Sequence, residues 1–278
     1  MKISIILPIY NGEKYLKKLV EKIRMQEGNY EIELIALVSK SFDESLEEAK
    51  RYFDVVIEVE KFNHAKTRHE GALRASGEIL LFITQDILPY DKEWLKNLVE
   101  PLKGEIVASF SRQIAYKEHS DIEKIIREFN YPNKDRLCNK GMKEKNGRKN
   151  IFYSDASSAI IRKKFFELGG YDFEVPTNED VYLANKIVEG GHSFIYASQS
   201  RIWHSHQLSL KETYKRYKNI GKFEKLYQNE IDFSQTSSEG KKMLLYLIRK
   251  LLKKRNIKEI IYLPLDIGAR WLGYKLKI

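Results

Sequence analysis

Cysteine is nearly absent from this chain: Cys138 is the single one in 278 residues. No internal disulfide can form, which suits a reducing compartment. Long apolar runs are missing too. No stretch reaches the roughly 20 residues that a membrane-spanning helix needs. Met1-Lys2 leads directly into Ile3-Ser4-Ile5-Ile6-Leu7-Pro8, which is too short for the apolar region of a secretion signal. Excess positive charge is scarce over most of the chain, despite a net charge of +10. Residues 241–278 hold eleven Lys and Arg against Glu259 and Asp266, and so carry +9 of it. The near-neutral body speaks against a nucleic-acid partner, because nucleic-acid enzymes spread basic residues around their cleft. With 42% hydrophobic residues, the chain has enough apolar surface for a core, and disorder is excluded.

What is present is an alternation of strand and helix. Residues 3–9, 31–38, 55–59 and 79–83 read as strands, and 13–26, 43–51 and 64–75 as helices between them, with no tight hairpin signal. Leu16, Leu19, Val20 and Ile23 recur at helical spacing, with lysines on the opposite side. This order predicts an α/β fold, a parallel sheet with crossover helices. Further on, the pattern predicts a helix over 91–102, a strand over 106–110, a strand over 156–161 and a short helix over 162–168. A helix running to Val188 is expected to be capped by Thr177 or Asn178. Two short strands follow at 193–197 and 201–203, then a long helix over 208–227. Residues 131–150 are polar and contain Pro132, Gly141 and Gly147; they read as a mobile loop over the cleft or near an acceptor.

Three places carry candidate chemistry. The run Ile79-Leu80-Leu81-Phe82-Ile83 ends in Thr84-Gln85-Asp86. A buried strand that stops at a carboxylate places it at the carboxyl edge of a sheet, where ligands of open α/β folds bind. There Asp86 could hold Mg²⁺ or Mn²⁺ against a diphosphate; a turn or cap residue is the simpler reading of one Asp alone. Glu179-Asp180 stand at a helix start, where the macrodipole favours the ionised form, and Asp180 could take a proton from a hydroxyl. His204 and His206 alternate, so on an extended segment they share a face and either could complete a metal site. Ordinary polar residues at a strand exit would look the same. Arg68 and His64 lie one helical turn apart and could present donors to a phosphate or carboxylate.

As a series these residues resemble family 2 glycosyltransferases of the GT-A fold. The opening Ile3-Ser4-Ile5-Ile6-Leu7-Pro8-Ile9-Tyr10-Asn11-Gly12 is similar to that family's first strand. Phe62-Asn63-His64-Ala65 with Thr67-Arg68, then Gly77-Glu78 and Thr84-Gln85-Asp86, resembles its bacterial rhamnosyltransferase branch. So do Ser154-Asp155-Ala156-Ser157-Ser158-Ala159-Ile160, Glu179-Asp180-Val181, and Trp203-His204-Ser205-His206 with Leu208-Ser209-Leu210-Lys211 and Arg216-Tyr217. The matches keep their order over residues 3–225.

The resemblance implies a Rossmann-like, mixed but mainly parallel sheet flanked by helices, and an inverting transfer from a nucleotide-diphospho-sugar. It makes Asp180 the general base, and Asp86 with His204 (His206 as the alternate) the ligands of Mg²⁺ or Mn²⁺. Pro8, Tyr10, Asn11, Ser39, His64, Arg68, Gln85 and Asp86 fall on the donor side, and Asp155, Ser157 and Glu179 on the acceptor side. For the branch, the donor is dTDP-rhamnose and the acceptor a lipid-linked glycan at the cytoplasmic face of the membrane. The chain departs from the pattern at three points. Thr84 replaces the first acid of Asp-x-Asp, Val38-Ser39-Lys40-Ser41-Phe42-Asp43 lacks the acid that ends the second strand, and His69 replaces an Asn. The missing acid favours an alternative, a catalytically silent GT-A-like binding protein at the membrane surface.

The division expected is a catalytic domain over 1–230 and a basic helical segment over 231–278. In that segment Leu244, Leu247, Ile248, Leu251 and Leu252 share a helical face flanked by Lys and Arg, and Tyr262, Trp271 and Tyr274 follow. Such a segment suits an anionic membrane surface, or a helix packed on the main domain with its lysines in water. The first option makes the protein cytoplasmic and peripheral on the membrane.

Overall fold

The computed structural model describes residues 1–276. Its nine strands are β1 (Lys2–Ile9), β2 (Glu31–Ser39), β3 (Val55–Val59), β4 (Ile79–Ile83), β5 (Leu88–Pro89), β6 (Ile106–Ile114), β7 (Arg136–Cys138), β8 (Ser157–Ile161) and β9 (Ser193–Trp203). They form one sheet in the order β3-β2-β1-β4-β8-β6-β9-β5, with β7 also paired to β9. The first four of these strands are parallel. β8 enters antiparallel between β4 and β6, and β6 and β9 are parallel again.

The helices are α1 (Glu13–Arg24), α2 (Ser45–Tyr52), α3 (His64–Arg74), α4 (Trp94–Val99), α5 (Asp121–Asn130), α6 (Lys143–Asn146), α7 (Arg162–Glu167), α8 (Glu179–Glu189), α9 (Leu210–Leu226), α10 (Thr236–Lys254) and α11 (Ile257–Lys275). Period-two alternation of side chains gives the sheet two apolar faces. Ile3, Ile5, Leu7, Ile79, Leu81 and Ile83 pack under α1, α2 and α4. Ile6, Leu80, Phe82 and Ile160 pack under α3, α7, α8 and α9. β1 connects outward to β2, and β4 lies on its other side. Their carboxyl ends therefore frame the crevice at which the strand order reverses, and the candidate site grows from there.

Several expectations need correction. The helix predicted over 91–102 is confined to α4, because Asp91 closes a turn instead, accepting from Glu93 N–H at 3.0 Å. Asn178 stands at the start of α8 but makes no side-chain cap, its backbone being left-handed at φ 67°. The two short strands at 193–203 are one strand, β9, with a register shift opposite Ser111 and Arg112. β6 continues past Phe110 to Ile114. Helix α5 has no counterpart in the sequence reading, although Ile122, Ile125 and Ile126 recur behind the capping Ser120.

Residues 131–150 are ordered rather than a loop. β7 joins the sheet, and the turns beyond it are held by Asn146 on Leu137 O (2.7 Å), Asn150 on Asn139 O (2.9 Å) and Lys149 on Phe129 O (2.7 Å).

The basic C-terminal helices pack on the body. Leu247, Leu251 and Leu263 share a third apolar cluster with Ile122, Ile125 and Ile126 of α5. Glu259 accepts from the first N–H groups of α5, at 2.8 Å from Asp121 and 2.6 Å from Ile122. At Gly273 the backbone of α11 comes so close to α9 that an added Cβ would lie 2.4 Å from Tyr214 O.

Candidate active site

The ends of β1 and β4 are tied together by one side chain. Gln85 accepts from Tyr10 N–H at 2.9 Å and donates to Tyr10 O at 2.8 Å. Gly12 lies close beside this pair, where an added Cβ would fall 2.6 Å from Gln85 Oε1 and push that amide aside. Asn11, at φ 46°, donates its N–H to Ser41 Oγ (3.0 Å), and its Oδ1 accepts from Phe42 N–H (2.9 Å). The turns after β1 and β2 are thus zipped into one rim, with Tyr10 exposed on it. Ser39 is buried just below, with its Oγ lacking a hydrogen-bond partner. Asp43 does not project from this rim. It accepts from Glu13 N–H and from the Ser45 N–H and hydroxyl, linking α1 to α2.

Beyond Gln85, Asp86 meets both histidines. Its Oδ2 lies 3.6 Å from His204 Nε2 and 3.5 Å from His206 Nδ1, and the donor atoms of the three residues lie within 4.8 Å of one another. The alternation read from Trp203-His204-Ser205-His206 brings both imidazoles to the carboxylate. Burial pushes the Asp86 carboxyl up, but His204 and His206 outweigh it and hold it below the usual carboxylate range. Burial, then the neighbouring His204, hold His206 down at about 3, and burial also lowers His204. Both rings are therefore neutral at pH 7, as ligands must be. His204 Nε2 is buried without a hydrogen-bond partner. A buried nitrogen with a free lone pair facing a carboxylate and a second imidazole fits a divalent cation.

A second group of titratable side chains gathers around Arg68. This arginine is 4% exposed. Its Nη1 lies 3.1 Å from Glu179 and its Nε 3.7 Å from Asp155. The guanidinium that the sequence placed on the donor side is thus turned into an acidic cluster, and Nη1 also donates to His64 O at 2.9 Å. His64 Nδ1 stands 3.8 Å from Glu179, and burial, then Arg68, lower its pKa to about 4. Asp155 is buried, accepting from Tyr171 Oη at 2.7 Å and Ser158 Oγ at 2.6 Å. Burial pushes it up to about 6 against the pull of Arg68. His69, at the position where the branch carries Asn, accepts from Tyr171 N–H at 3.1 Å and so steadies that tyrosine.

Asp180 is the most open of the three carboxylates: it is half-buried, whereas Asp155 is 1% and Glu179 5% exposed. Its oxygens accept from Val181 N–H (2.8 Å) and Asp155 N–H (3.3 Å). Enclosure, then Glu179 and Asp155, raise its pKa well above the ordinary value. Ser157 belongs to neither group. It lies on the opposite face of β8 from Ser158, hydrogen-bonded to Trp94 Nε1 (3.0 Å) and Ser111 Oγ (2.7 Å). Its expected acceptor-side role gives way to a buried hydroxyl network.

The sequence reading passed over Gln113. On β6 it joins the two groups: its Oε1 contacts His204 Nδ1 (2.8 Å) and accepts from Arg127, and its Nε2 donates to Ser154 Oγ (2.8 Å), next to Asp155. The available signal is the alternation Ser109, Ser111, Gln113, all three buried. It marks a strand face continuing beyond Phe110. Tyr116 was passed over as well. Its Oη donates to Asp86 O at 3.3 Å, and burial, then Asp86, push its pKa up to about 12.

Comparison with known proteins bears on the family and the fold. The family model for glycosyl transferase family 2 matches residues 4–169. The O-antigen chain rhamnosyltransferase RfbN of Salmonella typhimurium is 30% identical over 99% of this chain and 89% of its own length. WbaN of Salmonella anatum, described in the same words, is 27% identical over 98% and 88%. Among solved structures, a Pyrobaculum calidifontis mannosyltransferase in complex with GDP-Man and Mn²⁺ aligns with a TM-score of 0.64 at 15% identity, covering 96% of this chain and 73% of that one. S. aureus TarS in complex with UDP-GlcNAc aligns at 0.59 and 17% identity, covering 97% and 79%. These likenesses extend the GT-A fold across the whole sheet. With a family model over more than half its length and relatives of one kind along nearly all of it, the chain belongs to glycosyl transferase family 2 and is a rhamnosyltransferase-like glycosyltransferase.

Proposed function

We propose that this glycosyltransferase moves a rhamnose-like deoxyhexose, with inversion, from a nucleotide-diphospho-sugar to a hydroxyl of a growing lipid-linked glycan, with dTDP-rhamnose as the favoured donor. The observation that carries the reading is Asp180, the open member of a buried acidic cluster, held by two backbone N–H groups and raised in pKa. A carboxylate so placed accepts a proton near neutral pH better than an ordinary surface acid. The acceptor oxygen bonds to the anomeric carbon as its proton passes to Asp180. The bond from that carbon to the diphosphate breaks, and its electron pair leaves with the nucleotide. Arg68 balances Glu179 and Asp155, so that Asp180 is not surrounded by negative charge alone.

Asp86, His204 and His206 would hold Mg²⁺ or Mn²⁺, which supplies charge neutralisation on the departing diphosphate. Gln85 fixes the Tyr10 backbone at the rim where the nucleotide would lie. The mannosyltransferase and TarS complexes, with GDP-Man and UDP-GlcNAc, support a nucleotide-sugar donor.

A cytoplasmic protein resting on the membrane surface suits such an acceptor. Among the described residues no helix is long and apolar enough to cross a membrane. Leu245 and Leu252 of α10, and Ile257, Ile261, Leu265 and Leu272 of α11, are exposed among the lysines and arginines of these helices. That composition suits adsorption to anionic lipid. The test is metal-dependent hydrolysis of, and transfer from, a panel of dTDP-rhamnose, GDP-mannose and UDP-N-acetylglucosamine. Preference for dTDP-rhamnose is expected, and no turnover of any donor with Mg²⁺ or Mn²⁺ overturns the reading.

A further inference from the structure

Both histidines of the candidate metal site stand on irregular backbone. Residues 204–209 lie between the end of β9 and the start of α9, in neither strand nor helix. The segment is therefore held in place by what it touches. His204 N–H donates to Ile114 O at 2.9 Å, and Ser205 Oγ accepts from Tyr116 N–H at 3.0 Å. Gln207 Oε1 accepts from Ser120 N–H at 3.0 Å, and His206 N–H donates to Glu123 Oε1 at 3.4 Å. The last two contacts belong to the start of α5. The same Glu123 oxygen accepts from Arg127 Nε at 2.8 Å, and Arg127 donates to the Gln113 oxygen that meets His204. The first turn of α5 thus touches the backbone of one histidine and, through Arg127 and Gln113, the ring of the other.

That turn is completed from outside. The first four N–H groups of a helix have no partner within it. In α5, Gln207 takes the N–H of Ser120, and Ser120 Oγ takes that of Glu123 at 3.2 Å. The two between them, of Asp121 and Ile122, go to Glu259 of α11 at 2.8 and 2.6 Å. A carboxylate is also the favoured charge at a helix start. The Asp121 side chain is held in turn by Lys254 and Asn256, at 2.6 and 2.8 Å.

We propose that Glu259 is a positioning residue for the metal centre. By completing the first turn of α5 it holds Glu123 in place, and Glu123 fixes His206 directly and His204 through Arg127 and Gln113. The inference rests on the metal-assisted reading above and deepens it. The basic C-terminal helices then belong to the catalytic centre rather than only to its surroundings. A residue that merely packed α11 on the body would act on stability alone, whereas one acting through α5 also changes how tightly the ion is bound.

The experiment is Mn²⁺ titration of the full-length chain, with the free ion read by electron paramagnetic resonance, which needs no turnover. Glu259→Ala should weaken Mn²⁺ binding about three- to tenfold, less than the 10- to 100-fold of a partner that touches the ligand itself. Glu259→Gln keeps an acceptor oxygen for the two N–H groups and should recover most of that loss. Lys250→Ala breaks a contact of α10 with Glu128 at the far end of α5, and should leave Mn²⁺ binding unchanged. In a Glu123→Ala background, Glu259→Ala should cost nothing further, because both act along one route. Unaltered Mn²⁺ binding in Glu259→Ala overturns the proposal. So do an equal loss in Lys250→Ala, no recovery in Glu259→Gln, or additive losses in the double variant. Absence of Mn²⁺ binding by the unaltered chain overturns the metal reading itself and the proposal with it, a result distinct from binding that is indifferent to Glu259.

Discussion

Gln113 Oε1 and His204 Nδ1 are 2.8 Å apart, and this contact sets the proton position on the ring. Gln113 uses its amide nitrogen on Ser154, and its oxygen also receives the Arg127 guanidinium. Only an oxygen is left to face the imidazole, so Nδ1 carries the hydrogen and Nε2 keeps its lone pair toward Asp86. Gln113→Leu removes that restraint and also strands Arg127. Mn²⁺ affinity is expected to fall about 10- to 100-fold, the usual cost of losing a partner behind a ligand. An unchanged Mn²⁺ titration curve would sink this role for Gln113.

Asp180→Asn removes the proton acceptor while keeping the side chain's shape, its single amide oxygen retaining one of the two backbone hydrogen bonds. Transfer should drop by roughly 10²- to 10⁴-fold, with nucleotide-sugar binding by calorimetry close to normal. Near-wild-type transfer by the variant would mean that the base lies elsewhere.

The pH profile should report the same group. Because enclosure, Glu179 and Asp155 raise the pKa of Asp180, the carboxyl is protonated and idle below that raised value. Transfer should therefore increase with pH across a limb lying above the ordinary carboxylate range. Glu179→Gln deletes one neighbouring charge and frees Arg68 to act on Asp180, so the limb should move to lower pH. A limb that stays put in this variant rules out Asp180 as its origin.

Much of this site is legible in the chain, and the reason is geometric. Asp86 stands out because an apolar strand stops at it, and His204 and His206 because alternation on an extended segment aims two rings one way. Arg68 shows the limit. Spacing gives its helix and its face, but its partners Asp155 and Glu179 are remote in sequence, 87 and 111 positions away. Gln113 is hidden for another reason. It is buried in hydrogen bonds with His204, Arg127 and Ser154, and burial of that kind leaves no apolar periodicity to read. Residues 131–150 follow the same logic, ordered by Asn and Lys side chains on backbone carbonyls.

Arg68 also holds stability. It is the cation beside two buried carboxylates, and removing one member of such a group typically costs about 3–5 kcal/mol. Arg68→Met should lower the midpoint of chemical denaturation accordingly at pH 7. The loss should shrink below pH 5, where Asp155, with its raised value of about 6, is protonated. A pH-independent loss would show that packing rather than charge is at stake.

The contact of Glu259 with the start of α5 has a mechanical meaning. Two peptide N–H groups depend on a side chain from a helix more than a hundred residues later. Withdrawing α11 far enough to break both contacts would leave them exposed to whatever takes its place, at a cost of about 1–3 kcal/mol for each one left dry. The basic C-terminal segment is therefore a latch with a finite release energy, fastened at Glu259 and wedged at Gly273. The change of composition near residue 230 divides the sequence of the chain, whereas the load-sharing between its helices runs straight across that line.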